Sequence, residues 1–250
     1  MLIDKNVKLQ YAFHSNRKQQ QTSSLSFLLT DKNGRSLSHF RLQVKTANFL
    51  LTAGCQVDVR GLHGMTALNE AAFIGHSVLL KTLLLHGADP GITDDAGTLP
   101  LWFAIDHLSQ ESVGLLLAAG SPFHTRSTLS PSFGPCNPLE YAAQKQRDVF
   151  VDWMLAAYGE EAANCLRKYL PNLDQNPALR GTGVGRLREM VNEPQSLLRQ
   201  CRCTVRRMLR RDIALSAPDS LKDLTLPQML KTYLSLADLP DFRPVEGTCS

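Results

Sequence analysis

The side chains of this chain with chemistry to offer are thiols, imidazoles and guanidinium groups, and the first and last crowd one stretch, SLLRQCRCTV at 196–205. Cys201 and Cys203 stand two apart among Arg199, Arg202 and Arg206. Paired thiolates can hold a soft metal, but on a helix positions i and i+2 diverge by about 200°, and no His–Cys pair follows at finger-like spacing. Six arginines and no acid between 199 and 211 would attract phosphate. No aromatic residue is interleaved for base stacking, however, and the net charge is only +4. GTGVG at 181–185 lacks the Lys–Ser/Thr of a phosphate loop and follows no strand; it reads as a flexible connection. The seven histidines suggest no Ser/His/Asp or Cys/His constellation. The residues therefore point to no enzyme, no metal, no cofactor and no nucleic acid.

What the stretch does offer is a surface. Leu197, Cys201, Val205 and Leu209 recur every four residues, joined by Met208, which makes one narrow apolar stripe on a helix. Pro194 suits its first turn. Cys203 points away from the stripe, and the arginines flanking it are expected to form a solvated face whose stems shield the apolar strip.

The elements that position this stripe must come from the rest of the chain. With 43% apolar residues in 250, there is ample material for a core. No run approaches the ~20 apolar residues needed to span a bilayer, the first fifteen residues lack the layout of a secretory signal, and six scattered cysteines read as reduced thiols. The expectation is a protein of cytosol or nucleus, with no membrane contact.

Internal periodicity organises the middle of the chain. GMTALNEAAFIGHSVLLKTLLLHGADP (Gly64 to Pro90) aligns with GTLPLWFAIDHLSQESVGLLLAAGSP (Gly97 to Pro122), with Gly64 and Gly97, Leu68 and Leu101, and Gly87 and Gly120 each 33 apart. NFLLTAGCQVD upstream and NPLEYAAQKQRDVFVDWMLAAYG downstream carry the same pattern, the latter after an insert, HTRSTLSPSFGP (124–135), read as a loop. The pattern closely resembles the ankyrin repeat. Thr66 is expected to cap a first helix, Ala71 and Ala72 to let two helices approach, and Gly87 to end a second helix. Leu99 replaces the capping Thr, and Leu108 and Gln146 replace a mid-repeat Gly.

The resemblance implies an all-α solenoid of helix-turn-helix repeats with short hairpin loops over 31–159, about four repeats with a degenerate first. Residues 1–30 are expected to be flexible. It also implies a protein-binding face. By analogy the outward positions are Glu70, Phe73 and Ile74, then Phe103, Asp106 and His107, then Tyr141, Gln144 and Lys145.

The C-terminal stretch has its own resemblance. Ser196, Leu197, Cys201 and Val205 match S-L-x-x-x-C-x-x-x-V, the Elongin C-docking box of SOCS-box proteins. LTLPQMLKTYL (Leu224 to Leu234) resembles the cullin box that closes such domains. Thr225 stands where that box usually has its first Pro, while Leu224, Leu226 and Pro227 match. Together the motifs imply a small three-helix SOCS box over 196–236, after a linker with one helix (160–195) and before a tail (237–250). In it Leu197 is the knob, Cys201 allows close helix approach, and Leu230, Tyr233 and Leu234 close a small core.

Ankyrin repeats followed by a SOCS box resemble the ankyrin repeat and SOCS box family. That implies a non-catalytic substrate receptor of a cullin-RING ubiquitin ligase. Leu197, Cys201 and Val205 would bind Elongin C, itself joined to Elongin B. Leu224, Leu226 and Pro227 would engage cullin-5 with its RING subunit, and the ankyrin face would hold an unidentified protein target for ubiquitination and proteasomal degradation. The alternative is an ankyrin scaffold whose C-terminal helices only cap the solenoid. The two differ in one respect: a cap buries Leu197 and Cys201, and a docking box exposes them.

Overall fold

The computed structural model describes residues 40–129, 134–175, 182–192, 196–212, 225, 227–234 and 236. The expectations for 1–30, the start of the leader at 31–39, Leu224, Leu226 and the tail lie outside these residues.

Three helix pairs follow from the repeat: α2 (Ala67–Ile74) with α3 (Ser77–Leu85), α4 (Pro100–Asp106) with α5 (Gln110–Ala118), and α6 (Pro138–Gln144) with α7 (Asp148–Tyr158). One helix, α1 (Phe40–Thr52), precedes them. The shorter helices α2, α4 and α6 stack side by side as an inner row, while α1, α3, α5 and α7 form an outer row. Leucines from both rows (Leu68, Leu80, Leu84, Leu101, Leu116, Leu139) and Trp153 meet in one continuous core. This is the solenoid that the 33-residue period demands: no pair can bury its own apolar face, so each buries it on the next.

Local chemistry fixes where each helix begins and turns. Thr66 accepts a hydrogen bond from Asn69 N at 3.3 Å, and Asn137 forms a reciprocal capping box with Glu140. Leu99 offers α4 no side-chain acceptor; Pro100 at its first position compensates in part by fixing φ. The turn between paired helices is left-handed in all three repeats. Gly75 takes φ 76° in the first, and Leu108 (57°) and Gln146 (54°) adopt the same turn without glycine's freedom. The insert is closed at its base by a single bridge between Ser127 and Cys136 and by Arg126, which donates to Pro135 O (2.8 Å) and pairs with Glu140 at 3.0 Å.

Beyond the repeats the structure is more helical than the sequence suggests. α8 (Glu160–Gln175) is the helix expected there. The stretch read as a linker also forms α9 (Thr182–Asn192), with Gly183 and Gly185 inside it. Leu187 and Val191 drive this, since both lie buried against α8, at the i, i+4 spacing of one helical face. Arg167 of α8 donates to Val191 O at 3.0 Å and satisfies a carbonyl of the last turn. α10 (Leu197–Asp212) then packs on α7, and α11 (Gln228–Leu234) on α10. Among the described residues no helix is long and apolar enough to cross a membrane.

Candidate functional site

Two surfaces are built on this frame. The first is α10, a helix with two unlike faces. Leu197 (77% exposed), Cys201 and Val205 (39% exposed) form a row open to solvent, as residues four apart on one helix side must. Cys203 sits on the other side, against the ankyrin stack, with Sγ directed at Ala156 O (3.8 Å) and close to Gly159. A Cβ on Gly159 would lie 2.7 Å from that sulfur, so the approach of α10 to the α7–α8 junction requires glycine there.

Two of the arginines, Arg202 and Arg206, correct the expectation of a solvated face. Arg202 and Arg206 are 2% and 7% exposed. Arg206 donates one guanidinium nitrogen to the Leu234 carbonyl, in the last turn of α11, and the other to the Leu117 carbonyl, in the last turn of α5. Helix C-termini hold orphan carbonyls and the negative end of the helix dipole. A five-donor guanidinium satisfies them at a desolvation cost that a lone buried cation would not recover. Sequence periodicity finds apolar stripes, and a buried face made of Arg and Cys gives it no such signal.

At the end of the box, Thr225 and Pro227 are exposed, and α11 begins one residue after Pro227, whose carbonyl accepts from Leu230 N and Lys231 N. Leu230 stays half-exposed, contrary to the expectation that it helps close the core, whereas Leu234 and Leu236 are buried. Leu236 belongs to the same continuous apolar cluster as the repeats.

The second surface is the inner-helix row. Phe73 (55% exposed), Asp106, His107 and Lys145 face solvent and Ile74 is half-buried. Glu70, Phe103, Tyr141 and Gln144 do not face outward as expected. They are buried, because equivalent positions of successive inner helices interleave when the helices lie side by side. An aromatic ladder runs across three repeats: Phe73 meets Phe103 edge-on (5.5 Å between centroids), Phe103 meets Trp102 (5.8 Å), and Trp102 stacks on Tyr141 (4.2 Å). His107 meets Phe73 edge-on, and Lys145 Nζ lies 5.5 Å from the Tyr141 ring centroid. Tyr141 donates its hydroxyl to Asp106, and burial followed by this bond raises its pKa. Gln144 donates to the Tyr169 hydroxyl of α8. Glu70 Oε2 is buried without a hydrogen-bond partner, and burial lifts its carboxyl from the ordinary 4.5 to about 8.

Comparison with known proteins agrees with both halves. The model of ankyrin repeats in three copies matches residues 38–127, and the SOCS box model matches residues 193–235. The chain belongs to the ankyrin repeat and SOCS box family. In general, ankyrin repeats imply protein binding and a SOCS box implies an adaptor role toward Elongin B/C and a cullin. Over 121 residues this family member is 31% identical to an ankyrin and IPT/TIG repeat-containing protein of Schizosaccharomyces pombe, covering 46% of this chain and 10% of that one. Over 59 residues it is 42% identical to SH3 and multiple ankyrin repeat domains protein 2 of Homo sapiens, covering 24% of this chain and 3% of that one. The chain thus spans a tenth or less of these curated relatives. A crystal structure of an ankyrin repeat domain from Acinetobacter baumannii aligns over 74% of this chain and 92% of its own, at 18% identity and a TM-score of 0.46.

Proposed function

We propose that this protein is the target-recognition subunit of an Elongin B/C and cullin-5 type ubiquitin ligase. Leu197, Cys201 and Val205 dock on Elongin C, the Leu224, Leu226 and Pro227 segment engages the cullin and its RING subunit, and the inner-helix row holds the target. Glu70, Phe73, Ile74, Phe103, Asp106, His107, Tyr141 and Lys145 belong to that row. The exposed four of them (Phe73, Asp106, His107, Lys145) touch the target, while the buried aromatics fix their positions. No residue of the chain performs chemistry. It acts by holding target lysines near a charged ubiquitin-conjugating enzyme, so that a bimolecular transfer becomes effectively intramolecular. The target is then degraded by the proteasome. It works in cytosol or nucleus.

The observation that carries this reading is the solvent exposure of Leu197, Cys201 and Val205 on a helix whose opposite side is buried. A C-terminal cap would turn its apolar stripe inward, so the exposure speaks for docking over capping. Co-purification with Elongin B and C tests it. The wild-type chain is expected to hold both proteins through gel filtration. The Leu197→Pro, Cys201→Phe double variant is expected to release them, with the circular dichroism of the repeats unchanged. A folded wild-type chain that binds neither protein would refute the proposal.

A further inference from the structure

The buried side of α10 joins three elements that the sequence leaves far apart. Arg206 is the junction. It is 7% exposed and donates to two carbonyls, Leu117 at the end of α5 in the repeats and Leu234 at the end of α11 in the box. Around it, Cys203 fits against Gly159, where no other residue leaves room, and Arg202 is buried beside them in sequence. Leu236, just past α11, belongs to the one continuous apolar cluster that runs through the repeats, α8 and α9. Two modules joined only by a tether would show none of this: no buried charge bridging them, no glycine required by close approach, no shared core residue.

We propose that Arg206 is a positioning residue, a lock that fixes the angle between the target-binding row and the Elongin-docking stripe. The chemistry suits the role. A guanidinium presents its donors in a rigid planar fork, so two carbonyls bound at once determine direction as well as distance. An ammonium at that position has three donors but no fixed fork, so it would contact the carbonyls without setting the direction between them. Locking matters because transfer depends on where the target's lysines stand relative to the ubiquitin-conjugating enzyme, and a small misplacement far from the chemistry costs rate. That consequence rests on the adaptor reading; the lock itself does not.

The experiment uses the full chain. Nitroxides are attached through p-acetylphenylalanine at Gln110 on α5 and Thr204 on α10, both exposed, and the distance between them is measured by pulsed dipolar spectroscopy in wild type, Arg206→Met and Arg206→Lys. One narrow distance is expected in wild type and a broad distribution in both variants. A narrow wild-type distance retained in both variants would overturn the lock, as would a broad distribution in wild type. Should Arg206→Met lose the helicity of the repeats, the Lys variant, which keeps the charge and most of the stem, decides. In parallel, the unlabelled chains are titrated with Elongin B/C and assembled with cullin-5 and its RING subunit. Transfer of ubiquitin onto the chain's own Lys145 and Lys168 is then timed. Elongin affinity is expected to be the same in wild type and Arg206→Met while transfer slows about tenfold. Unchanged transfer, or a loss of Elongin affinity that accounts for the slowing, overturns the positioning role. Failure of wild type to bind Elongin would sink the adaptor reading and leave the lock to be judged on the distances alone.

Discussion

Glu70 shows how far a single residue can stand from what its type suggests. A carboxylate on the inner row of an ankyrin stack is ordinarily available to a basic partner. Here it is 7% exposed, Oε2 has no hydrogen-bond donor, and its pKa is pushed up to about 8. The folded protein therefore binds the Glu70 proton more tightly than the unfolded chain does, whose carboxyl titrates near 4.5. Stability from this group is complete below pH 4.5, declines as pH rises through the interval, and reaches its minimum once pH exceeds about 8. Glu70→Gln, which mimics the protonated acid, is expected to remove that slope. At pH 8.5 it should stabilise the fold by on the order of 5 kcal/mol, and at pH 4.5 by almost nothing. Thermal melts of both proteins across pH 4.5–8.5 check this, and parallel curves would show that Glu70 is ionised throughout.

Elements were legible in the sequence wherever a repeated local rule specified them. Thr66 and Asn137 cap α2 and α6 as their types require; the 33-residue spacing places α2 to α5, and the insert moves the last pair to 38 residues on. Departures from the pattern changed less than their types suggest. Leu108 and Gln146 hold the left-handed turn that Gly75 makes, because packed helices on both sides leave the chain no other route. What stayed hidden was non-local. Glycines mask α9 as a linker until α8 supplies a surface for Leu187 and Val191, and the burial of Arg202 and Arg206 depends on carbonyls contributed by α5 and α11. Likewise, burial of Phe103 and Tyr141 depends on the neighbouring inner helix rather than on their own. The same distinction decides what a consensus substitution does. Leu99→Thr would restore the missing cap of α4, worth about 1 kcal/mol. Yet Leu99 is fully buried, and a buried leucine contributes roughly 1.5–3 kcal/mol, of which threonine's methyl keeps a minority. The variant is expected to lose about 1 kcal/mol net in urea unfolding. A gain would mean that capping outweighs packing at this site.

At the scale of the whole molecule, capping the solenoid and presenting a docking face are separate tasks assigned to separate helices. Ala162, Ala163, Leu166 and Leu170 of α8 lie buried on α6 and α7, and α9 covers α8 in turn. An ankyrin stack needs such closure of its final repeat to stay soluble. Among the described side chains of α10, Cys203 is the apolar one buried on the stack, beside Gly159, while Leu197, Cys201 and Val205 face away. The two tasks can therefore be cut apart. A chain ending at Asn192 keeps α8 and α9 but gives up the buried Leu236 and the Arg206 bond to Leu117, roughly 2–4 kcal/mol; it is expected still to melt cooperatively, about ten degrees below the full protein. A chain ending at Gly159 loses the burial of Leu166 and Leu170, roughly 3–6 kcal/mol against a total of about 5–15 for a typical domain. It should bind an apolar dye, melt broadly and aggregate. Calorimetry and dye binding on the two truncations distinguish the roles directly. If the chain ending at Asn192 collapses as badly as the shorter one, the stack depends on α10 and α11 for closure. The exposed stripe would then be an incidental outer surface of a cap, and the case for Elongin docking would lose its structural ground.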